Sequence, residues 1–272
     1  MRFEKYHGLG NDFIILNIED VEGRELSELA KEVCHRNFGI GADGMMVFER
    51  NDRGIVMNFY NADGTTAPMC GNGIRCFTHY MSNHKLFDGE RVKIQTGAGE
   101  LEVAVSEEKE EFFVRVNMGK PLFRGRDIPL SADVDEYIEE EIVIDDNKIK
   151  ISSLFMGTTH TVILVEDLEE VDIATLGPKI EKHSMFPVGT NVNFCEVKSR
   201  EEMLVTTWER GAGLTLACGT GACASVVIGE RLGLLGKQVK VVVPGGNIYI
   251  EVDEDVFMKG PSVRIAEGEF LR

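Results

Sequence analysis

Residues 70–76 read CGNGIRC, and residues 218–223 read CGTGAC. Each copy sets Cys-Gly-x-Gly between a strand-like run and a helix-like one. A Gly-x-Gly turn lets the backbone take left-handed angles and removes side chains that would block a ligand. The helix that follows presents unpaired N–H groups and the positive end of its dipole. A cysteine at that junction is expected to have its thiol pKa lowered toward neutrality, because the same field favours the thiolate. An anionic ligand group would be held there too. Met alone, one such motif reads as a small buried cysteine at a tight turn. Two copies change that balance.

If two domains face each other across a pseudo-twofold axis, Cys70 and Cys218 approach one point from opposite sides. That arrangement suits the removal of a proton from one face of a carbon and its return on the other. The chemistry is racemisation or epimerisation at the α-carbon of an amino acid, with one thiolate as base and one thiol as acid. Negative charge on the α-carboxylate rises as the proton leaves, and two helix N-termini would stabilise it. The scheme needs no electron-sink cofactor.

The elements around the motifs repeat as well, and internal repeats decide the architecture. Aligning Cys70 with Cys218, an offset of 148, lays IVMNFYNADGTTAPMCGNG on EMLVTTWERGAGLTLACGTG, with Asn61 on Glu209 and Ala62 on Arg210. Upstream, at an offset of 147, LGNDFIILN lies on MGTTHTVILV with Asn11 on Thr158, and Gly44 lies on Asn191. Helix-like segments occur at 25–36 and 172–183, and longer ones begin at Ile74 and Ala222. Alternating or β-branched runs predict strands at Phe13–Leu16, Val92–Gln95, Leu101–Val105, Phe112–Val116, Val162–Val165, Leu204–Trp208, Val239–Val243 and Ile248–Val252. The expectation is two similar α+β domains, 1–118 and 119–260, with 261–272 returning to the first.

The composition excludes several partners. With 46 acidic against 29 basic residues, the formal charge of −17 repels phosphate backbones, so no nucleic acid is expected. The acidic runs at 107–111 and 133–141 read as solvated faces. No run of about 18 apolar residues occurs, and the N-terminus lacks a secretory pattern, so the reading is a cytoplasmic protein with no membrane partner. The six cysteines form no C-x-x-C pair, and no metal is expected.

These residues resemble the diaminopimelate epimerase family, whose members interconvert LL- and meso-diaminopimelate without pyridoxal. The resemblance runs over nearly the whole chain through GLGNDFIILN, FGIGADG, NADGTTAPMCGNGIRC, MGTTH, TNVNF and ERGAGLTLACGTGACA. It implies two similar domains related by a pseudo-twofold axis, each a mostly antiparallel sheet or barrel around a central helix. It also implies a homodimer, no cofactor and a small-molecule amino-acid substrate. By position, Cys70 and Cys218 match the acid/base pair, and Gly71, Asn72, Gly219 and Thr220 match the cradle for the reacting carboxylate. Asn11, Asn61, Asn191, Glu209 and Arg210 match contacts to the substrate's amino and carboxylate groups, and His160 matches a site-lining histidine that tunes a thiol. A zwitterionic distal end needs a fixed cation, an anion and amides, which this set supplies. The chain departs from the family pattern at Thr158, where Asn is usual, and at Gly44, where many members carry Gln.

Blander readings stand beside these. Cys76 and Cys223 read as packing thiols, Cys34 and Cys195 as core or surface thiols, and His7, His79, His84 and His183 as satisfied or solvated side chains. Glu209 and Arg210 also fit a surface ion pair. Rival functions are a proline- or hydroxyproline-type racemase on the same scaffold, a cysteine hydrolase using Cys218 with His160, and a redox-sensing binding protein.

Overall fold

Phe13 and Ile15 alternate with Ile14 and Leu16 along the second strand, and all four are buried. A strand covered on both faces needs a helix on each side, and the chain supplies one at each. The computed structural model describes residues 1–131 and 134–271, so Asp133, which opens the acidic run 133–141, lies outside the described residues.

The strands of the first part are β1 (Arg2–Gly8), β2 (Asn11–Asn17), β3 (Gly44–Asn51), β4 (Gly54–Asn61), β5 (Arg91–Thr96), β6 (Gly99–Glu108) and β7 (Glu111–Asn117). Then follow β8 (Tyr137–Ile144), β9 (Asn147–Phe155), β10 (Thr159–Leu164), β11 (Asn191–Ser199) and β12 (Glu202–Glu209). The last are β13 (Gly213–Leu214), β14 (Gln238–Val243), β15 (Gly246–Val252) and β16 (Val256–Glu269). Four α-helices accompany them: α1 (Leu26–Cys34), α2 (Gly71–Asn83), α3 (Ile173–Glu181) and α4 (Gly219–Arg231). The chain divides into one unit of Met1–Asn117 with Lys259–Arg272, and another of Met118–Met258.

In the first unit β1 to β7 lie in chain order, and β16 neighbours β7 and also pairs with β1, which closes an eight-stranded barrel. Closure leaves no free sheet edge. Neighbours are antiparallel except β2 with β3 and β4 with β5, where a helix makes the crossover that parallel pairing requires. α2 is buried from Asn72 to Thr78 and packs on β1, β2, β3 and β7. α1 covers the other side, setting Leu29, Ala30, Val33 and Cys34 against Ile14, Leu16, Met45 and Val47.

The second unit repeats this plan. Its strands run β8-β9-β10-β11-β12-β14-β15, with parallel pairing at β10–β11 and β12–β14. α4 is buried from Ala222 to Gly229 and packs on β9, β10, β11, β12, β14 and β15. α3 and its flanks lay Ile180 and Phe186 on Ile163, Val192 and Phe194. Helix α1 maps on α3 at the offset of 147 read from the sequence, and β4 on β12 and α2 on α4 at 148.

Candidate functional site

Cys70 is the N-cap of α2, in extended backbone, and its Sγ accepts from the Gly73 N–H at 3.4 Å. The thiol thus occupies the position usually filled by a serine or aspartate oxygen. The helix starts at Gly71, three residues earlier than the sequence pattern suggested, so Gly71 and Asn72 are its first residues and their N–H groups are among those without a helical partner.

The glycines also act differently from expectation. None of Gly71, Gly73, Gly219 and Gly221 has a positive φ. Room is what demands glycine at Gly221 and favours it at Gly73. A Cβ at Gly73 would stand 3.3 Å from Cys70 Cβ and from Met46 Sδ. One at Gly221 would overlap Asn193 Oδ1 and stand 3.1 Å from Thr207 Oγ1.

Asn11 reaches the Cys70 end of α2 from the start of β2. A two-residue turn places it there, with Leu9 and Gly10 both at positive φ, 58° and 88°, as the right-handed twist of a hairpin favours. Asn11 Nδ2 donates to Asp43 Oδ2 at 2.7 Å, while its Oδ1 accepts from Asn72 Nδ2 at 3.2 Å and lies 3.9 Å from Cys70 Sγ. Asp43 is held in turn by Arg36 at 2.7 Å, and Arg36 and Lys5 also grip the buried Asp12. These cations hold the Asp12 carboxyl below its ordinary pKa against the opposing effect of burial.

Beneath the turn, Arg75 is fully buried. It donates to Gly71 O and Asn72 Oδ1, each at 3.0 Å, and to Pro261 O at 3.2 Å. Gly8 and Gly260 leave space for its guanidinium, since a Cβ on either would stand 3.0 Å from one of its nitrogens. Asn61 ends β4 opposite Gly44, and Thr65 Oγ1 fixes its amide at 2.9 Å. A side chain at Gly44 has no room, because its Cβ would lie 2.8 Å from Tyr60 O.

In the second unit Cys218 is the N-cap of α4, with Sγ 3.5 Å from Thr220 Oγ1, and Gly219 opens the helix. Here the expected lowering of the thiol pKa is not found. Burial and the nearby Glu209 carboxylate push the Cys218 thiol up, and the Thr220 hydroxyl and Gly221 amide offset only part of this. The field of a helix terminus is worth up to about 2 kcal/mol, less than the cost of a buried anion beside a carboxylate. Burial also raises Glu209, which accepts from Thr215 Oγ1 at 2.7 Å. Glu209 and Arg210 do not form the surface ion pair that one reading allowed. Glu209 turns inward, whereas Arg210 is exposed and donates to Val188 O at 2.8 Å.

Asn191 Oδ1 accepts the Arg210 backbone N–H at 2.8 Å, and its Nδ2 points to Thr159 O at 3.4 Å. His160 stands beside Asn191 in the β10–β11 register, and Thr158 precedes β10, its carbonyl accepting from Met156 N–H at 2.9 Å. Thus Cys70, Gly71, Asn72 and Asn11 meet within the first unit, and Cys218, Gly219, Thr220 and Glu209 within the second. Cys34, Cys76, Cys195 and Cys223 are buried. Desolvation holds Cys34, Cys76 and Cys195 protonated, each pushed up to about 12.

Sequence reasoning missed the side chains that orient these groups: Asp43, Arg36, Arg75, Thr215 and Asn193. Gly8 and Gly260 were the available signal for Arg75, but they are far apart in sequence and meet only in the barrel. Among the described residues no helix is long and apolar enough to cross a membrane.

The profile of the family described as Diaminopimelate epimerase matches residues 3–123 and 152–265. A diaminopimelate epimerase of Halothermothrix orenii is 42% identical over 278 residues, covering 100% of this chain and 98% of the relative. Among solved structures, a Bacillus anthracis phenazine biosynthesis protein of the PhzF family aligns with TM-score 0.71 and 14% identity, covering 100% of this chain and 99% of that one. A hydroxyproline epimerase from Agrobacterium vitis, with bound trans-4-hydroxy-L-proline, aligns with TM-score 0.70 and 12% identity, covering 98% of this chain and 91% of that one. At such identity the two structures speak for the fold, whereas the family match and the full-length relative speak for the chain itself. The chain belongs to the diaminopimelate epimerase family and is an isomerase.

Proposed function

We propose that the chain epimerises LL-diaminopimelate to meso-diaminopimelate by a two-base mechanism without a cofactor, in lysine and peptidoglycan precursor synthesis. The observation that carries this reading is the repeated N-cap cysteine: Cys70 on α2 and Cys218 on α4, each at the start of a helix whose first-turn N–H groups have no carbonyl partner within the helix. One sulfur removes the α-proton as thiolate. The electron pair left behind spreads into the α-carboxylate, and the other thiol returns a proton to the opposite face. The N–H groups of Gly71, Asn72, Gly219 and Thr220 bind that carboxylate as its charge grows.

Burial and Glu209 push the Cys218 thiol up, which favours Cys218 as the acid in one direction of the reaction, with Cys70 as the base; the roles exchange in the other direction. Asn11, Asn61, Asn191, Glu209 and Arg210 take the remaining amino and carboxylate groups, and Thr158 offers a hydroxyl where an amide is usual. His160 completes the lining. The enzyme works as a cytoplasmic homodimer.

Arg210 distinguishes this substrate from proline-type and lysine-like ones. Its exposed guanidinium suits a second carboxylate, which those ligands lack. The test is a substrate panel in deuterium oxide scored for exchange at the α-carbon. LL- and meso-diaminopimelate should exchange, and proline, hydroxyproline and lysine should not. Exchange confined to proline or hydroxyproline would replace this reading with the rival racemase.

A further inference from the structure

Among the described residues, Nε2 of His160 is the buried side-chain nitrogen or oxygen that has no hydrogen-bond partner. The rest of that ring is tightly specified. Nδ1 lies 3.2 Å from Asn193 Nδ2. The Asn193 amide cannot be reversed, because the same Nδ2 donates to Thr161 O at 3.1 Å and Oδ1 accepts from Thr207 Oγ1 at 3.0 Å. A backbone carbonyl only accepts, so the nitrogen end of Asn193 must face it. The second hydrogen of that NH2 then goes to His160 Nδ1, which must be the bare nitrogen of the ring. The proton of a neutral imidazole is thereby placed on Nε2.

The fold maintains this arrangement. Asn193 Oδ1 sits against Gly221, one turn from Cys218, where any side chain on residue 221 would displace it. Burial, with a smaller contribution from the Arg210 charge, drives the His160 pKa down to about 3. A buried N–H donor without an acceptor is costly and calls for an explanation.

We propose that Asn193 is a positioning residue that holds His160 as a neutral Nε2–H donor, and that His160 donates to an oxygen of the bound amino-acid ligand instead of transferring protons. This rests on the reading of the site as an amino-acid epimerase centre, but its first test does not need turnover. In wild-type protein carrying 15N-histidine, two-bond 1H–15N correlation spectra should show His160 protonated at Nε2 and bare at Nδ1. That pattern should hold from about pH 5 to 8, where an ordinary imidazole titrates. Protonation at Nδ1, or titration within that range, overturns the proposal.

The Asn193→Asp variant should move the proton to Nδ1, since a carboxylate only accepts. If that variant does not fold, the wild-type spectrum still decides. On saturation with meso-diaminopimelate the Nε2–H resonance should move downfield. If it stays fixed while the Gly219 and Thr220 amide signals saturate, the donor role is overturned. If no signal moves at all, the proposed substrate fails and the tautomer result alone decides this inference. In turnover, His160→Gln should keep at least about tenfold more kcat/KM than His160→Leu, within the roughly 10²–10³-fold that a lost donor costs. Equal loss in both would return His160 to a proton-transfer role.

Discussion

Asp43 Oδ2 takes a hydrogen bond from Asn11 Nδ2 at 2.7 Å, and this contact decides which end of the Asn11 amide faces Cys70. A carboxylate can only accept, so the Asn11 carbonyl oxygen turns to the cysteine. Arg75 does the converse for Asn72: a guanidinium can only donate, so Asn72 Oδ1 turns to it and Asn72 Nδ2 turns to Asn11. One exposed carboxylate and one buried guanidinium thus set the polarity of two amides beside the thiol.

Asp43→Asn removes that instruction with little change of shape. Hydrogen bonds to charged groups are worth about 1.5–3 kcal/mol, so kcat/KM should fall roughly 10- to 100-fold. Steady-state exchange kinetics and a thermal melt check this together. The expected result is the kinetic loss with a melting temperature within a few degrees of wild type, and unchanged kinetics would show that Asn11 orients itself.

Gly221→Ala should be destabilising although the residue lies in a helix, where alanine is ordinarily preferred. The new methyl would overlap Asn193 Oδ1 and press on Cys218 Cβ at 3.2 Å. Overpacking of this kind costs about 1–3 kcal/mol, readable by urea denaturation. The exposed Gly99→Ala, at φ +109 with open space around it, should cost through backbone strain alone and leave turnover intact.

How much of this was legible beforehand differs from residue to residue. The Cys-Gly-x-Gly repeats and the offsets of 147 and 148 are local patterns, and they located α2, α4 and the strands on either side. The role of the glycines was misjudged, because closeness to Asn193 or Met46 is a tertiary fact that a Gly-x-Gly pattern does not express. The direction of the Cys218 pKa was misjudged for a related reason. Position at a helix start can be read from sequence, but the degree of burial and the inward turn of Glu209 cannot. Asp43 stood within the quoted FGIGADG block, yet its partner Asn11 is 32 residues away along the chain.

Stability should decline at both ends of the pH scale, for opposite reasons. Burial lowers His79 to about 4 and His160 to about 3 from an ordinary value of 6.5. The unfolded chain therefore binds more protons below that value, and stability present above it is lost as pH falls from about 6.5 through 4 for His79 and on to about 3 for His160. Cys34, Cys76, Cys195 and Cys218 are raised. Their contribution is complete below the ordinary thiol value of 9.0 and is lost as pH rises beyond it. Each group adds a slope of up to about 1.4 kcal/mol per pH unit within its window. Denaturant titrations at a series of pH values should show both limbs, and Cys195→Ala should make the alkaline limb shallower.

Cys76 separates chemistry from packing. It follows Cys70 by less than two helical turns but is fully buried in α2, and desolvation holds it protonated. Cys76→Ala should leave turnover within about twofold while costing on the order of 1 kcal/mol in stability. A kinetic loss comparable to that of Cys70→Ala would show that the wrong thiol has been assigned.

In the proposed mechanism two sulfurs, one per unit, share the proton chemistry. Its most direct measurement is the rate of LL- to meso-diaminopimelate conversion, with deuterium incorporation at the α-carbon, in Cys70→Ala and Cys218→Ala proteins that melt like wild type. Each substitution should reduce conversion by at least the roughly 10²- to 10⁴-fold typical of a lost acid or base. Near-normal conversion in either protein would contradict the account.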